Sequence, residues 1–287
     1  MPPEFLVVGH VVQDLLSDEG SWRLGGAVAY AATLARRLGL RTAALTAAAP
    51  DLPLADLLPG VECRLAPSET TTRIRNVYGK GRRRQFVPQC GARLLAEHLP
   101  DHWRQTPVVL LGPVAGEIDD ALAASFPASL VGAGAQGWLR RIRPDTQVRP
   151  VPPARWDAAP VLRHTAALFL SDEDVLPGQA PAALKRWGAM VDILAFTRGY
   201  NGADVGVRGR WRHIEAFPAH PVDLTGAGDV FAAGFLIRFH ETGDPWEAAR
   251  FASCAASIAV EGIGIEGIPD RRQVEERLRA HPQIAAR

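Results

Sequence analysis

The stretch Asp223-Leu224-Thr225-Gly226-Ala227-Gly228-Asp229 runs directly into an apolar segment, Val230-Phe231-Ala232-Ala233-Gly234-Phe235-Leu236-Ile237. The first part has the glycines of a tight loop, and the second has the composition of a buried helix. That order predicts a loop feeding the first turn of a helix, where N–H groups without intrahelical acceptors can hold an anion. Asp229 then stands beside the anion, placed to take a proton from a hydroxyl while the amides stabilise a transferring phosphoryl group. The same letters also describe a glycine-rich turn with Asp229 as a helix cap, and spacing alone does not separate the two.

Outward from this loop, strands and helices alternate. Phe5 to Val8 is consecutively apolar and closed by Gly9, the pattern of a strand buried on both faces. Gly25-Gly26 opens a small-residue helix to Arg37, ending near Gly39, and Arg41 to Ala47 supplies the next strand. Further strands are expected at Val108–Leu111, Ser129–Gly132, Ala166–Leu170 and Val191–Phe196, with helices such as Glu117 to Ser125 and Ala180 to Trp187 between them. This alternation predicts an α/β fold with a mainly parallel sheet covered on both sides. Pro245 to Val260, started by Asp244-Pro245, and Asp270 to Ala280 read as terminal helices. Arg149-Pro150-Val151-Pro152-Pro153 reads as a stiff surface connection.

Residues about 60 to 90 break the rhythm. Arg73-Ile74-Arg75-Asn76-Val77-Tyr78 alternates with a period of two, Gly79-Lys80-Gly81 turns the chain, and Arg82 to Val87 returns. The expectation is a two-stranded flap extending from a single domain spanning 1–287, its arginines forming a solvated face in preference to contacting an anionic substrate. An exposed flap edge allows a homodimer through this lid, or simply a short charged edge.

At 287 residues and 47% hydrophobic, the chain can bury a large core without disulfides or metals. A formal charge of +1, from 32 basic and 31 acidic residues, gives no case for nucleic acid. Cys63, Cys90 and Cys254 are too scattered for a zinc site and read as reduced thiols. The start, Met1-Pro2-Pro3-Glu4, lacks a signal-peptide pattern, and every apolar run is too short for a bilayer, so a soluble cytoplasmic protein is expected. No Walker A Lys follows a glycine-rich loop, and Gly25-Gly26 lacks the Gly-x-Gly-x-x-Gly spacing of a dinucleotide turn. His10, His98, His164 and His220 form no close metal motif; His10 reads as a strand-end hydrogen-bonding residue.

The Asp223 to Asp229 segment resembles the signature of the ribokinase-like (PfkB) carbohydrate kinases. The resemblance extends over most of the chain through Asp14, Gly25-Gly26, the flap, Thr197-Arg198-Gly199 after a late strand, and the terminal helices. It implies a ribokinase-like three-layer fold and transfer of the γ-phosphoryl group of ATP to a hydroxyl of a small sugar, polyol or nucleoside. By the resemblance, Asp229 is the base, and Gly226, Ala227 and Gly228 form the anion hole. Asp14, Gly25 and Gly26 hold acceptor hydroxyls. Thr197, Gly199 and Thr225 would face the nucleotide together with Ala255, Ser257 and Gly262. Mg²⁺ would bridge phosphate oxygens mostly through water, as suits an ion that dehydrates reluctantly.

Two departures stand out. Where the family commonly places an Asn after the glycine pair, this chain has Ala29 and Tyr30. The family's Asn-x-x-Glu motif corresponds to Ser171-Asp172-Glu173-Asp174, where Asp174 or Glu173 could organise Mg²⁺, or Ser171 or Asp172 could simply cap a helix. Gly25-Gly26-Ala27-Val28-Ala29-Tyr30 and Gln136-Gly137-Trp138-Leu139-Arg140-Arg141 look like the inositol and nucleoside kinase subgroup. Arg140 reads either as a contact to acceptor or phosphate, or as surface charge, and Trp138 as pocket wall or core. A regulatory or binding protein on the same scaffold, with weak turnover, is the alternative of a different class.

Overall fold

The computed structural model describes residues 1–16, 20–79 and 82–285. The turn expected at Gly79-Lys80-Gly81 falls, at Lys80 and Gly81, outside the described residues. β1 (Phe5–Val8) lies deep in a nine-stranded sheet. On one side it pairs in parallel with β4 (Thr42–Ala47), which in turn pairs with the edge strand β5 (Val61–Ala66). On the other side follow β8 (Val108–Leu111), β9 (Leu130–Gly134), β12 (Ala167–Ser171) and β13 (Ile193–Thr197), all parallel. The antiparallel hairpin of β14 (Ala203–Val207) and β15 (Arg210–Ile214) closes that edge.

The unbroken apolar run of β1 has a direct explanation in the packing. Phe5 and Val7 enter a cluster with Leu34, Phe235 and Phe251, while Leu6 and Val8 enter a second one with Trp103 and Trp187. Both faces are dry, so both sets of alternating side chains are apolar. The first face is covered by α1 (Gly26–Arg37), α5 (Ala227–Thr242), α6 (Pro245–Ala259) and α7 (Arg271–Ala280). The second carries shorter pieces, among them α3 (Ala159–Leu162) and α4 (Ala180–Gly188). The one-turn helix α2 (Leu54–Leu57) sits before β5. Gly243, at φ 69°, ends α5, and the Asp244 carboxylate accepts from the Trp246 and Glu247 amides to start α6. No helix among the described residues is long and apolar enough to cross a membrane.

Two expectations change. The flap is half of a separate four-stranded sheet rather than a two-stranded extension of the main one. β2 (Val12–Leu15) pairs antiparallel with β3 (Trp22–Gly25) and parallel with β6 (Thr72–Gly79), which pairs antiparallel with β7 (Arg82–Gln89). Residues 61–66 belong to the main sheet instead, as β5. β2 and β3 escaped notice because each is only four residues long, too short for a two-residue period to stand out.

The helix expected from Glu117 to Ser125 is only a 3₁₀ stretch over Asp120–Ser125. Glu117 is spent elsewhere: it is 2% exposed and accepts from the backbone amides of His10, Val114 and Ala115. His10 pins the base of the flap, its ring nitrogens meeting the Thr72 hydroxyl at 2.7 Å and the Ala92 carbonyl at 2.8 Å. A small hairpin, β10 (Arg140–Ile142) with β11 (Val148–Pro150), docks on the flap, where the Val87 amide donates to the Thr146 carbonyl at 2.8 Å.

Candidate active site

The loop entering α5 is bent by Gly226 at φ 78° and ψ 0°, a left-handed conformation that carries no steric cost without a Cβ. A Cβ there would also fall 2.2 Å from the Tyr30 ring of α1. Over Gly228 a Cβ would meet nothing within 4 Å, so the loop has one face sealed by Tyr30 and one face open. The amides of Ala227, Gly228 and Asp229 belong to the first turn of a 16-residue helix, where the helix dipole is positive; the Ala227 amide donates to the Leu224 carbonyl at 3.4 Å, and those of Gly228 and Asp229 have no intrahelical acceptor.

Asp229 is partly buried in that first turn. Burial pushes its carboxyl up from the ordinary 3.8 to about 7; the charges of Asp174 and Asp14 push the same way, and Arg140 opposes them. Four side chains from four elements therefore share one electrostatic neighbourhood: Asp14 from β2, Asp174 after β12, Arg140 from β10 and Asp229 from α5.

Gly25 and Gly26 make the approach of Asp14 possible. A Cβ on Gly25 would lie 2.0 Å from Asp14 Oδ2, and one on Gly26, at φ 83°, would lie 2.4 Å from the His10 carbonyl oxygen. Strand register puts Asn76 and Gln85 on the same face of the flap as Asp14, with Gln85 Nε2 donating to Asn76 Oδ1 at 3.0 Å. Tyr30, 2% exposed, stands between this polar face and the Gly226 loop. Burial and the nearby Asp14, Asp223 and Asp229 all hold its phenol protonated, so it is a neutral donor. Sequence reasoning saw Tyr30 only as a missing Asn; its ring contact with a residue 196 positions away left no local signal.

A tie that the sequence reading missed fixes the loop to the flap. Asp223 accepts from Arg23 Nη1 of β3 at 2.7 Å, from the Thr225 amide at 3.0 Å and from the Gly264 amide at 3.1 Å. Burial works against this carboxylate's charge, but those amides and the Arg23 guanidinium hold it below the usual range. The Asp223 amide also donates to the Val260 carbonyl at the end of α6. Replacing Arg23 by Gln is expected to cost about 1 kcal/mol in chemical denaturation. The double variant with Asp223→Asn should lose less than the sum of the single variants, because both remove the same pair.

On the other side of α5, Thr197 ends β13 with its hydroxyl 3.5 Å from the Leu170 carbonyl. Gly199 is exposed at φ 52°, and Thr225 is exposed in the loop. Gly262 is folded so tightly onto Gly267 that a Cβ would lie 2.4 Å from its Cα. Ala255 and Ser257 do not gather with these. Ala255 is fully buried in the core, and the Ser257 hydroxyl donates to the Cys254 carbonyl at 2.7 Å and accepts from Arg277 at 3.3 Å. The reason is that α6 is covered by α5 on one side and α7 on the other, leaving those positions no outer face.

One oxygen of Asp174 is held by the Ser171 amide and hydroxyl at 2.7 and 2.9 Å, and Glu173 is exposed. Among the described residues, no three His, Cys, Asp or Glu side chains gather as a metal cage. Two carboxylates within each other's field, Asp174 and Asp229, suit a hydrated divalent ion shared with a ligand's oxygens rather than a closed site. A groove of about 700 Å³ between α4 and the β14–β15 hairpin contains none of the expected residues. Its one carboxylate, Asp204, is already held by Arg198 at 2.5 Å and His213 at 2.8 Å.

Residues 160–270 match the pfkB family carbohydrate kinases. The ribokinase of Bacillus subtilis is 42% identical over 86 residues, which cover 30% of this chain and 29% of that protein. A nucleoside kinase of Methanothermobacter thermautotrophicus is 41% identical over 68 residues, covering 23% and 22%. The chain thus aligns with less than a third of the length of these relatives. Among solved structures, a pyrophosphate-dependent kinase of the ribokinase family superposes with a TM-score of 0.79 at 22% identity, covering 95% of this chain and 99% of that one. Arabidopsis thaliana ribokinase complexed with ribose and ATP superposes at 0.72 and 21% identity, covering 97% and 99%. The whole chain has the fold of the ribokinase family, and its segment 160–270, which includes the Asp223–Asp229 loop, matches the pfkB family of carbohydrate kinases.

Proposed function

We propose that this protein transfers a terminal phosphoryl group from a polyphosphate donor to a hydroxyl of a small sugar, polyol or nucleoside. The observation that carries this reading is the pairing of open first-turn amides on α5 with a carboxyl whose pKa sits near 7 in the same turn. The acceptor oxygen forms the new O–P bond as the bond from phosphorus to the donor's bridging oxygen breaks. The hydroxyl proton passes to Asp229, and the shortened donor departs with the electron pair of the broken bond. Charge on the equatorial oxygens is met by the Gly226–Gly228 amides, already oriented before reaction.

Asp14 with Asn76 and Gln85 offers acceptor hydroxyls several partners on one flap face, and Tyr30 can donate beside them. Asp174 is the residue best placed to hold a water of Mg²⁺, with Glu173 the outer candidate. That ion, when bound, neutralises charge between the phosphates. Thr197, Gly199, Thr225 and Gly262 are the residues that would face an ATP donor in this reading.

The closed packing of Ala255 and Ser257 favours a second donor, pyrophosphate, which has no nucleoside to house. Three structural neighbours with TM-scores of 0.78 to 0.79 are described as pyrophosphate-dependent, two of them with myo-inositol named. The deciding experiment offers ATP and pyrophosphate separately, with Mg²⁺, to a panel of inositols, pentoses, hexoses and nucleosides. Acceptor-dependent product is expected with one donor at least; donor binding with no product from any acceptor would favour a binding protein. With the productive pair, kcat/KM should fall tenfold per pH unit below about 7, because the base must be ionised and its pKa is raised to that value. A flat profile down to pH 5 would remove Asp229 from that role.

A further inference from the structure

Between Asp223 and the buried Val230, the loop that enters α5 has little of its own to hold it. Leu224, Thr225 and Gly228 are exposed, and the backbone hydrogen bonds are local. The Thr225 amide donates to the Asp223 carboxylate at 3.0 Å, the Ala227 amide to the Leu224 carbonyl at 3.4 Å and the Val230 amide to the Gly226 carbonyl at 2.9 Å. What meets the turn from a distant part of the chain is the Tyr30 ring. A Cβ on Gly226 would fall 2.2 Å from its Cγ and Cδ1 and 2.4 Å from its Cε1, so the turn rests against that side of the ring. The ring is itself fixed. Tyr30 is 2% exposed within the core cluster of α1 and α5, and Ala27 of the same helix packs so tightly that a Cβ on Gly112 would lie 2.5 Å from its own. A long side chain on a helix leans toward the helix N-terminus, here toward Gly25-Gly26 and the Asp14 carboxylate packed on Gly25.

We propose that Tyr30 is a positioning residue for phosphoryl transfer: its ring is the wall that sets where the Gly226 turn stands, and so how far the anion-binding amides lie from an acceptor held at the flap. The proposal rests on the phosphotransfer reading. The Gly228 and Asp229 amides and the Asp229 carboxyl all follow Gly226 within one helical turn, so a shift of Gly226 is carried to all three. A displacement of about 1 Å in a reacting group costs about 10²-fold in rate. A flat ring held in a close-packed core leaves the turn one resting position, whereas a shorter aliphatic side chain leaves a gap into which the turn can settle. The glycine matters for the same reason, because any side chain at 226 would push the turn off the ring.

The test compares Tyr30→Leu, which keeps an apolar core side chain and guards against misfolding, with Tyr30→Phe, which keeps the ring. Calorimetry with pyrophosphate and with ATP, read without any turnover, should show donor binding at least about tenfold weaker in Tyr30→Leu and within about threefold of wild type in Tyr30→Phe. With the productive donor and acceptor, kcat of Tyr30→Leu is expected at least about tenfold below that of Tyr30→Phe, a comparison in which the missing hydroxyl cancels. Gly226→Ala, introduced into Tyr30→Leu, should lower kcat by less than about threefold further, because both changes act through one contact. Donor affinity and kcat in folded Tyr30→Leu that match Tyr30→Phe would overturn the proposal, as would losses that multiply in the double variant. Wild-type turnover retained by Tyr30→Leu would refute Tyr30 alone and leave the phosphotransfer reading standing. Failure of the wild-type protein to bind either donor would end both.

Discussion

Asp229→Asn is expected to lower kcat about 10²- to 10⁴-fold, the range over which a positioned proton acceptor acts, while donor affinity stays within a few fold of wild type. Asn keeps the shape and accepts a hydrogen bond through its carbonyl, but it cannot take the acceptor's proton. The same substitution should make the protein more stable at pH 8. Burial raises the carboxyl from 3.8 to about 7, so the folded chain binds a proton more tightly than the unfolded chain does. Stability therefore falls as pH rises between those values, and the ionised Asp229 is a liability that is complete only above 7. Removing it should raise the unfolding free energy by roughly 1–3 kcal/mol at pH 8 and leave it unchanged near pH 4. Thermal unfolding at the two pH values, with parallel rate measurements, reads both effects. A variant that loses activity and is destabilised at pH 8 would mean that Asp229 is a structural cap.

Gly226→Ala and Gly228→Ala form the second contrast, and they separate backbone geometry from anion binding. At Gly226 the added methyl meets both a left-handed φ of 78° and the Tyr30 ring at 2.2 Å. Strain and overlap together should cost roughly 2–4 kcal/mol and lower kcat at least about 100-fold as the loop shifts. At Gly228 the methyl enters open space, so the melting temperature should stay within a few degrees. If phosphate oxygens occupy that space, Gly228→Ala should still raise the donor KM or lower kcat at least about tenfold. Wild-type kinetics in a stable Gly228→Ala protein would show that the open face receives no ligand.

The parts of the fold legible from sequence were those with one dominant local cause. Phe5–Val8, Val108–Leu111 and Ile193–Thr197 announce buried strands because both faces are apolar, and Asp244-Pro245 announces α6 through its cap. The Asp223–Asp229 loop was legible because glycine is needed at a fixed spacing before a helix. What stayed hidden depends on partners distant in sequence. Glu117 looks like a helix start, yet backbone amides of three residues claim it. Nothing in the sequence pairs Arg23 with Asp223, which the fold brings to 2.7 Å. Arg140 read first as surface charge and only second as a site residue, because nothing nearby in the chain reveals the Val114 carbonyl that holds it. Ala255 gave no sign of its full burial because small residues on a helix signal close packing on any side.

The four-stranded flap sheet imposes an order of assembly on the nascent chain. The parallel partner of β2 leaves the ribosome about sixty residues after it, Val12 meeting Thr72 across a loop whose closure entropy must be met first. Until then β2 and β3 form an isolated hairpin of four-residue strands, too small to persist in water. The flap should therefore be among the last regions to gain protection from hydrogen exchange during refolding, and the first to open in the native state.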